Sequence, residues 1–232
     1  MGAPALLEAV VLALVEAARA AGIAARIVPL YAPIAERWLQ VTLDPAVMPA
    51  GFAPGTAPTA AIIVIPEIFG LNAGIRQKCD SWAAKGYLAV ALDIFWRFAP
   101  GVELNPDVEA ELNEAFGYFQ QYDADKGVLD IETVIKAIRH SLAGHAPVAK
   151  VGCVGFCLGG RLAYMAAART DIDASVGYYG VMIDQMLGES HAIAHPLMLH
   201  IPTADYFIAE YSDSEREIQS LDSDLSYICH RR

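Results

Sequence analysis

The fold of this chain is decided at residues 149–160, which read Ala149-Lys150-Val151-Gly152-Cys153-Val154-Gly155-Phe156-Cys157-Leu158-Gly159-Gly160. The first half of this stretch is short, apolar and rich in valine, which is typical of a strand buried on both faces of a sheet. The second half is rich in glycine and continues into a predicted helix from Gly159 to Arg169. The order of strand, tight turn and helix predicts a sharp bend at Cys157.

Such a bend is where a nucleophile is presented in G-x-S-x-G sequences, with cysteine here in place of serine. Small residues flank this position because the backbone is strained and the helix must pack close to the strand. The partial positive charge of a helix N-terminus favours the thiolate. The alternative is a buried structural cysteine beside a glycine-rich turn. Cys153 is expected in the core, and Cys79 has no predicted role.

Further strands and helices alternate on both sides of this bend. Strands are predicted at Trp38–Leu43, Ala60–Ile65, Tyr87–Leu92, Ala174–Tyr179 and Pro196–Ile201, and helices at Leu71–Lys85, Asp107–Phe119 and Val128–Leu142. Strands that alternate with helices pair in parallel through right-handed crossovers. The sequence therefore predicts an α/β fold, with a mostly parallel central sheet and helices on both faces, as a single domain over residues 1–232.

Composition agrees with such a domain and narrows its partners. The chain has 232 residues, of which 55% are hydrophobic, and a formal net charge of −11. This charge disfavours nucleic acids and anionic membranes and favours a small molecule as partner. The 4 cysteines lack the paired spacing of a zinc site and are few for a secreted, disulfide-stapled domain. We therefore expect a cytoplasmic protein, monomeric or homodimeric, without metal or organic cofactor.

Residues 1–30 contain an alanine-rich, apolar segment from Ala5 to Ala25. Glu8 and Glu16 interrupt it, no basic region precedes it, and most of its residues are good helix formers. We interpret it as an extra amphipathic helix, with an export segment as the alternative.

Four other stretches form a collinear set with the bend at Cys157. They are Pro66-Glu67-Ile68-Phe69-Gly70-Leu71-Asn72, Asp93-Ile94-Phe95-Trp96-Arg97-Phe98-Ala99-Pro100-Gly101, Val176-Gly177-Tyr178-Tyr179-Gly180-Val181, and His195-Pro196 leading to Ala204-Asp205. Together they resemble the dienelactone hydrolase (carboxymethylenebutenolidase) family over residues 59–206, and an ordered set is harder to produce by chance than one motif. The resemblance implies an α/β-hydrolase fold and cleavage of a lactone or small carboxylic ester.

The resemblance also assigns roles around the thiol. In the family a carboxylate keeps the resting thiol neutral and moves aside when substrate binds, and Glu67 stands at the matching position. The backbone N–H groups of Ile68 and Leu158 would form the oxyanion hole, which stabilises charge on an attacked carbonyl. The alternative for Glu67 is an exposed carboxylate in the first turn of a helix, favoured by the helix dipole.

Asp205 and His230 are the candidates for the remaining catalytic groups. Asp205 follows the strand Pro196–Ile201, where hydrolases of this fold place the acid that orients the histidine; a turn-forming aspartate is the alternative. His230 is the histidine that follows Asp205, after an apolar run compatible with a last strand, and is the candidate base. The spacing is shorter than in the family, whose glycine-rich approach and closing helix are unmatched. We therefore expect a shortened C-terminal part. The alternative to a catalytic His230 is that the chain is truncated or its last stretch altered, with His230 an exposed tail residue.

Substrate contacts are less well specified by the sequence. The family binds a carboxylate through arginines, one of them on the helix that here spans Asp107–Phe119, where Leu112 takes the matching position. Arg97 is our candidate, with a structural salt bridge as the alternative. Phe116 and Tyr179 are expected to wall an aromatic pocket.

Three hypotheses follow. The leading one is a thiol hydrolase in which Cys157 attacks the carbonyl and a histidine activates the water that releases the acyl group. The second is a family member without a working base that acts as a small-molecule binding or interaction protein. The third is a redox-active thiol at the helix N-terminus.

Overall fold

A computed structural model describes residues 28–34, 37–43, 60–85, 87–142, 150–202 and 226–230. The helix predicted at Ala5–Ala25 lies outside these residues. The described strands are β1 (Val28–Ile34), β2 (Arg37–Leu43), β3 (Ala60–Ile65), β4 (Leu88–Leu92), β5 (Lys150–Phe156), β6 (Ala174–Tyr178), β7 (Leu197–Pro202) and β8 (Ser226–His230). The described helices are α1 (Ala73–Ala83), α2 (Glu109–Gln121), α3 (Ala124–Leu142), α4 (Leu158–Arg169) and a 3₁₀ segment (Asp184–Ala192).

The strands form one sheet in the order β2-β1-β4-β3-β5-β6-β7-β8. Every pair from β4 to β8 is parallel, whereas β1 runs antiparallel to both of its neighbours. The mostly parallel sheet predicted from the sequence is thereby confirmed. Strand β1 was not predicted, and its Pro29 and Pro33 explain this, because proline reads against a strand inside a sheet.

Both faces of the sheet are covered, as the apolar runs predicted. Along β3, Ile63 and Ile65 belong to the cluster that also contains residues of α3 and α4. Val64 points to the opposite cluster, with Ile75 of α1. This burial on two sides is why the strand reads as a continuous apolar run. None of the helices in the described ranges is both long and apolar enough to cross a membrane.

Candidate active site

The bend at Cys157 joins β5 to α4 at the carboxyl edge of the parallel strands. Cys157 has φ 53° and ψ −113°, a sparsely populated conformation that the surrounding structure must hold in place. A Cβ on Gly155 would lie 1.9 Å from the carbonyl oxygen of Gly159, and a Cβ on Gly159 would lie 2.3 Å from that of Ile65. Both positions therefore require glycine, as the sequence indicated. The predicted order of strand, bend and helix is present.

Cys157 differs from Cys79 and Cys153 in its exposure. Its side chain is partly exposed, whereas Cys79 and Cys153 are buried. Burial raises the pKa of the Cys79 thiol to about 12 and that of the Cys153 thiol to about 11. These two thiols are held neutral in the core, as expected for Cys153. Of Cys79, Cys153 and Cys157, Cys157 is the one that a solvent-borne molecule can reach.

The backbone of the bend packs between the ends of β3 and β6. The N–H of Cys157 donates to the carbonyl of Tyr178 at 3.0 Å, and the N–H of Val181 donates to the carbonyl of Cys157 at 3.4 Å. A Cβ on Gly160 would lie 2.7 Å from the oxygen of Tyr178. The loop after β6 is thus in direct contact with the turn that carries the thiol.

Glu67 follows β3 and is held by a tyrosine from the loop after β6. The hydroxyl of Tyr179 donates to Oε1 of Glu67 at 2.8 Å. Glu67 is partly buried, and α1 begins only at Ala73, with Asn72 as its N-cap. The alternative of an exposed carboxylate in a first helical turn is therefore wrong. No local pattern in the sequence pairs Glu67 with Tyr179, since the two are 112 positions apart.

Ile68 and Leu158, the predicted oxyanion-hole residues, lie on two segments that touch. Leu158 is the first residue of α4, so its N–H is among those without an acceptor inside the helix. Ile68 lies in a turn closed by the N–H of Gly70 on the carbonyl of Glu67, at 3.2 Å. The close approach of Gly159 to Ile65 and Pro66 brings the two segments together. Two backbone donors on such segments can stabilise a developing oxyanion.

Arg97 and Phe116 occupy partly buried positions near α2 and α3. Nη2 of Arg97 lies 2.6 Å from Oδ1 of Asp130, and Nη1 contacts the other oxygen. Asp130 is buried and also accepts from Nε1 of Trp96 at 3.1 Å. This is the salt bridge that the structural alternative for Arg97 predicted. Phe116 packs against the main core, and its role in a substrate pocket stays a prediction.

The remaining two candidates lie in the C-terminal part. Asp205 is outside the described residues. His230 is the last residue of β8, and its backbone is in register with Pro202, the last residue of β7. Because β5 to β8 are parallel, the end of β8 lies at the same edge of the sheet as the end of β5. The catalytic roles of Asp205 and His230 stay predictions.

A row of stacked rings lies at the carboxyl ends of β5, β6 and β7. The sequence did not predict this row. Phe156, Tyr178 and His200 are in register across β5, β6 and β7. The rings of Phe156 and Tyr178 are 5.3 Å apart and those of Tyr178 and His200 are 4.1 Å apart, both pairs nearly parallel. Lys78 of α1 lies over the Phe156 ring. Because Phe156 and Tyr178 directly precede Cys157 and Tyr179, the row fixes the strand ends that carry both residues.

Comparisons with known proteins agree with this arrangement. Residues 50–227 match the dienelactone hydrolase family. A carboxymethylenebutenolidase of Pseudomonas putida is 38% identical over 156 residues, which are 67% of this chain and 65% of that protein. A putative carboxymethylenebutenolidase of Azospirillum brasilense is 41% identical over 154 residues, 66% of this chain and 65% of that protein. The chain thus spans slightly less than two thirds of the length of the curated relatives it matches.

Solved structures of low sequence identity share the fold. A putative dienelactone hydrolase of Klebsiella pneumoniae has a TM-score of 0.61 at 21% identity, over 76% of this chain and 75% of that chain. A dienelactone hydrolase of Anabaena variabilis has a TM-score of 0.56 at 15% identity, over 90% of this chain and 87% of that chain. The fold is therefore that of the α/β-hydrolases.

Proposed function

The chain belongs to the dienelactone hydrolase family, and from this premise we propose that it cleaves a lactone or a small carboxylic ester with Cys157 as the nucleophile. The observation that carries the proposal is the position of Cys157, partly exposed on a bend bounded by glycines at the edge of the sheet. A strained bend of this kind lifts the sulfur out of the sheet, where it can meet a carbonyl carbon.

The reaction proceeds through an acyl-enzyme. The Cys157 sulfur attacks the carbonyl carbon and forms a C–S bond, while the backbone N–H groups of Ile68 and Leu158 stabilise the oxyanion. Collapse of the tetrahedral intermediate breaks the ester C–O bond, and the leaving oxygen takes up the proton that the Cys157 thiol gives up on attack. A simple ester thereby releases its alcohol, whereas the alcohol of a lactone stays attached to the acyl chain. A water activated by a histidine, for which His230 is the candidate with Asp205 as its orienting acid, then hydrolyses the thioester.

Glu67 has a second part in this proposal. It keeps the resting thiol protonated, and it moves aside when substrate enters. The hydrogen bond from Tyr179 to Glu67 supports this role, because it gives the carboxylate a defined position beside the loop that touches Cys157. Location in the cytoplasm, which we expect from the cysteine content, stays a prediction.

Replacing Cys157 tests the proposal. We expect Cys157→Ala to lower kcat/KM on para-nitrophenyl acetate and on an enol-lactone by at least about a thousandfold, because it removes the sulfur that forms the acyl-enzyme in this mechanism. Cys153→Ala is the matched control, since this buried thiol has no part in the chemistry and its removal should leave turnover near that of the unmodified protein.

Equal turnover by Cys157→Ala and the unmodified protein would overturn the nucleophile assignment. Alkylation provides an independent measurement, because a nucleophilic Cys157 should react with iodoacetamide at a rate that rises with pH. A folded chain that turns over no ester and whose Cys157 resists alkylation would favour the binding-protein alternative.

A further inference from the structure

Arg76 is the fourth residue of α1 and contacts two segments that lie at the carboxyl edge of the sheet. Its Nη1 donates to the backbone carbonyl of Leu71 at 2.6 Å and lies 2.5 Å from Oε1 of Glu103. Helical side chains lean toward the N-terminus of their helix, so the guanidinium reaches back past the start of α1. One side chain thus joins the segment after β3 to the segment after β4.

The position of Arg76 is electrostatically unfavourable for α1 itself. The N-terminus of a helix carries a partial positive charge, which repels a cation in the first turn. The first turn of α1 contains no acidic residue that would offset this repulsion. The side chain of Glu103 is 45% exposed, and an ion pair this open to solvent adds little to stability. The contact with the Leu71 carbonyl therefore calls for an explanation other than the stability of the helix.

The segment after β3 pairs with the segment after β4 through backbone hydrogen bonds. Leu71 donates its N–H to the carbonyl of Val102 at 2.8 Å, and Leu104 donates its N–H to the carbonyl of Phe69 at 2.9 Å. Arg76 binds the carbonyl of Leu71, so both backbone polar groups of Leu71 have partners. The guanidinium thereby fixes the end of this pairing that lies next to α1.

Gly70 links this pairing to the turn that contains Ile68. Gly70 has φ 70°, and a Cβ at this position would lie 2.0 Å from the carbonyl oxygen of Val102. Its N–H donates to the carbonyl of Glu67 at 3.2 Å, which closes the turn around Ile68. Because the contacts are this close, a shift of Leu71 is transmitted to the Ile68 N–H.

The segment after β4 is itself held at a fixed place. Asp93, which follows β4 directly, is buried and accepts the N–H groups of Phe95 at 3.2 Å and Gly101 at 2.8 Å. Glu103 comes two residues later. Arg76 therefore ties the turn of Ile68 to a part of the molecule that is anchored in the core.

We propose that Arg76 is a positioning residue for the oxyanion hole. It holds the carbonyl of Leu71 against the segment of Glu103 and so fixes the turn that presents the N–H of Ile68 to the carbonyl oxygen of the substrate. This inference rests on the proposed hydrolase function. Arg76 acts on the charge that develops on that oxygen and leaves the reactivity of the Cys157 sulfur unchanged.

Two reactions of the same thiol test the proposal. Acylation by para-nitrophenyl acetate develops an oxyanion, whereas iodoacetamide loses iodide from a saturated carbon as the sulfur attacks, and no oxyanion forms. Loss of an oxyanion donor costs about 100- to 1000-fold in rate, and a displaced donor retains part of this effect. We therefore expect Arg76→Met to lower kcat/KM for the ester by roughly 10-fold and to change the alkylation rate of Cys157 by less than about twofold.

Arg139→Met is the matched control. The side chain of Arg139 is 29% exposed, against 24% for Arg76, and it likewise contacts a carboxylate and a backbone carbonyl, both of Asp171. Arg139 also contacts Asp173, which accepts the N–H of Val151 near the start of β5, at the edge of the sheet opposite to the thiol. Arg139→Met should lower stability without changing the ratio of kcat/KM to the alkylation rate.

An unchanged kcat/KM in Arg76→Met would overturn the proposal, as would an equal loss in acylation and alkylation, which indicates a purely structural role. If Arg76→Met does not fold, Glu103→Ala gives the decision, because it removes the anchor of the guanidinium and leaves α1 unaltered. It should lower kcat/KM by roughly threefold with an unchanged alkylation rate. An unchanged kcat/KM in Glu103→Ala would then overturn the proposal.

Trifluoroacetone separates this inference from the proposed function, since its addition needs no turnover. The Cys157 sulfur forms a C–S bond with the carbonyl carbon, the π electrons of the C=O bond move to the oxygen, and the thiol proton passes to solvent. Fluorine NMR measures the Kd of this adduct, which Arg76→Met should raise by roughly 10-fold and Arg139→Met by less than about twofold.

The combined results distinguish the two claims. Weaker binding of trifluoroacetone to Arg76→Met, in a protein that hydrolyses no ester, would refute the hydrolase and retain the positioning role. Ester turnover by the unmodified protein with equal kcat/KM and equal Kd in Arg76→Met would retain the hydrolase and refute the positioning role. Absence of both turnover and adduct formation in the unmodified protein would refute both.

Discussion

Tyr179 and Glu67 illustrate how a single hydrogen bond can organise a site. The sequence suggested Tyr179 as a pocket wall and Glu67 as the residue that keeps the thiol neutral, without a link between them. The hydroxyl of Tyr179 provides that link by donating to Glu67. The backbone N–H of Tyr179 donates to the carbonyl of His200 at 2.8 Å. Both the ring and the backbone of Tyr179 are thus fixed where they hold the carboxylate.

We expect Tyr179→Phe to lower kcat/KM on para-nitrophenyl acetate by roughly 10-fold, because a hydrogen bond to a charged group contributes about 1.5–3 kcal/mol and orients Glu67. Steady-state kinetics measure the effect. Tyr178→Phe is the matched control, since it keeps the stacked ring between Phe156 and His200 and should retain activity. Unchanged kinetics in Tyr179→Phe would show that this hydrogen bond does not position the carboxylate.

At the scale of the elements, the packing of α4 against β3 depends on a glycine. Gly159 brings the start of α4 against the carbonyl oxygens of Ile65 and Pro66, at 2.3 and 2.7 Å from where a Cβ would be. The contact also brings together the segments that carry Ile68 and Leu158. The stability of this interface and the geometry of the predicted oxyanion hole therefore depend on the same atoms.

Gly159→Ala should destabilise the protein by about 3 kcal/mol, because the added methyl group must push α4 away from β3. Ester turnover should fall as well, since Leu158 moves relative to Ile68. Gly117→Ala in α2 is the control: apart from the adjacent residues and the backbone of the helix itself, no atom lies within 4 Å of the new methyl group. Replacing glycine in a helix should stabilise it by about 0.5–1 kcal/mol. Urea denaturation measures the free energy of unfolding of both variants. Equal values for Gly159→Ala and the unmodified protein would contradict this account of the interface.

Element boundaries were predictable where a local signal marks them. The helix predicted at Leu71–Lys85 is observed as α1, Ala73–Ala83, and begins where the Asn72 side chain accepts the N–H of Ile75 at 3.1 Å. The helix predicted to start at Val128 starts earlier, at Ala124. Glycine at position 127 reads against a helix interior, although the side chain of Tyr122 packs over it. A Cβ at position 127 would lie 2.1 Å from the hydroxyl of Tyr122, so the close approach of this nearby side chain explains the glycine.

At the scale of the whole molecule, a charge cluster at Asp173 ties α3 to the start of β5. Asp173 contacts Lys150 at 2.7 Å and Arg139 at 2.9 Å, and accepts the N–H of Val151 at 2.9 Å. Burial raises the pKa of Asp173, but Lys150, the Val151 N–H and Arg139 together outweigh it and lower the pKa to about 2. Ionised Asp173 is therefore bound more favourably in the folded chain than in the unfolded one.

Since the folded pKa lies below the unfolded value of about 3.9, this stabilisation is present above pH 4 and is lost as the pH falls toward 2. We expect it to amount to about 1–2 kcal/mol, because the cluster is partly open to solvent. Urea denaturation of the unmodified protein and of Asp173→Asn across this range measures it. The difference in free energy of unfolding between the unmodified protein and Asp173→Asn should shrink as the pH falls. Asp107→Asn, at an exposed position, is the control and should have the same free energy of unfolding as the unmodified protein. A constant difference for Asp173→Asn would contradict the linkage.

The sequence by itself determined the local architecture around the thiol. The valine-rich run, the glycines and the helical segment act within a few residues of Cys157, so the strand, the bend and the helix could be predicted without knowledge of the rest of the chain. The same holds for the parallel sheet, because the alternation of buried strands and helices is written along the chain.

Only the tertiary structure decided which distant residues meet. Three sets of contacts join segments that are far apart in sequence. They are Glu67 with Tyr179, Arg97 with Asp130, and the row of Phe156, Tyr178 and His200. These contacts depend on strand order and register, and a shift of one residue would turn every side chain of a strand to the opposite face.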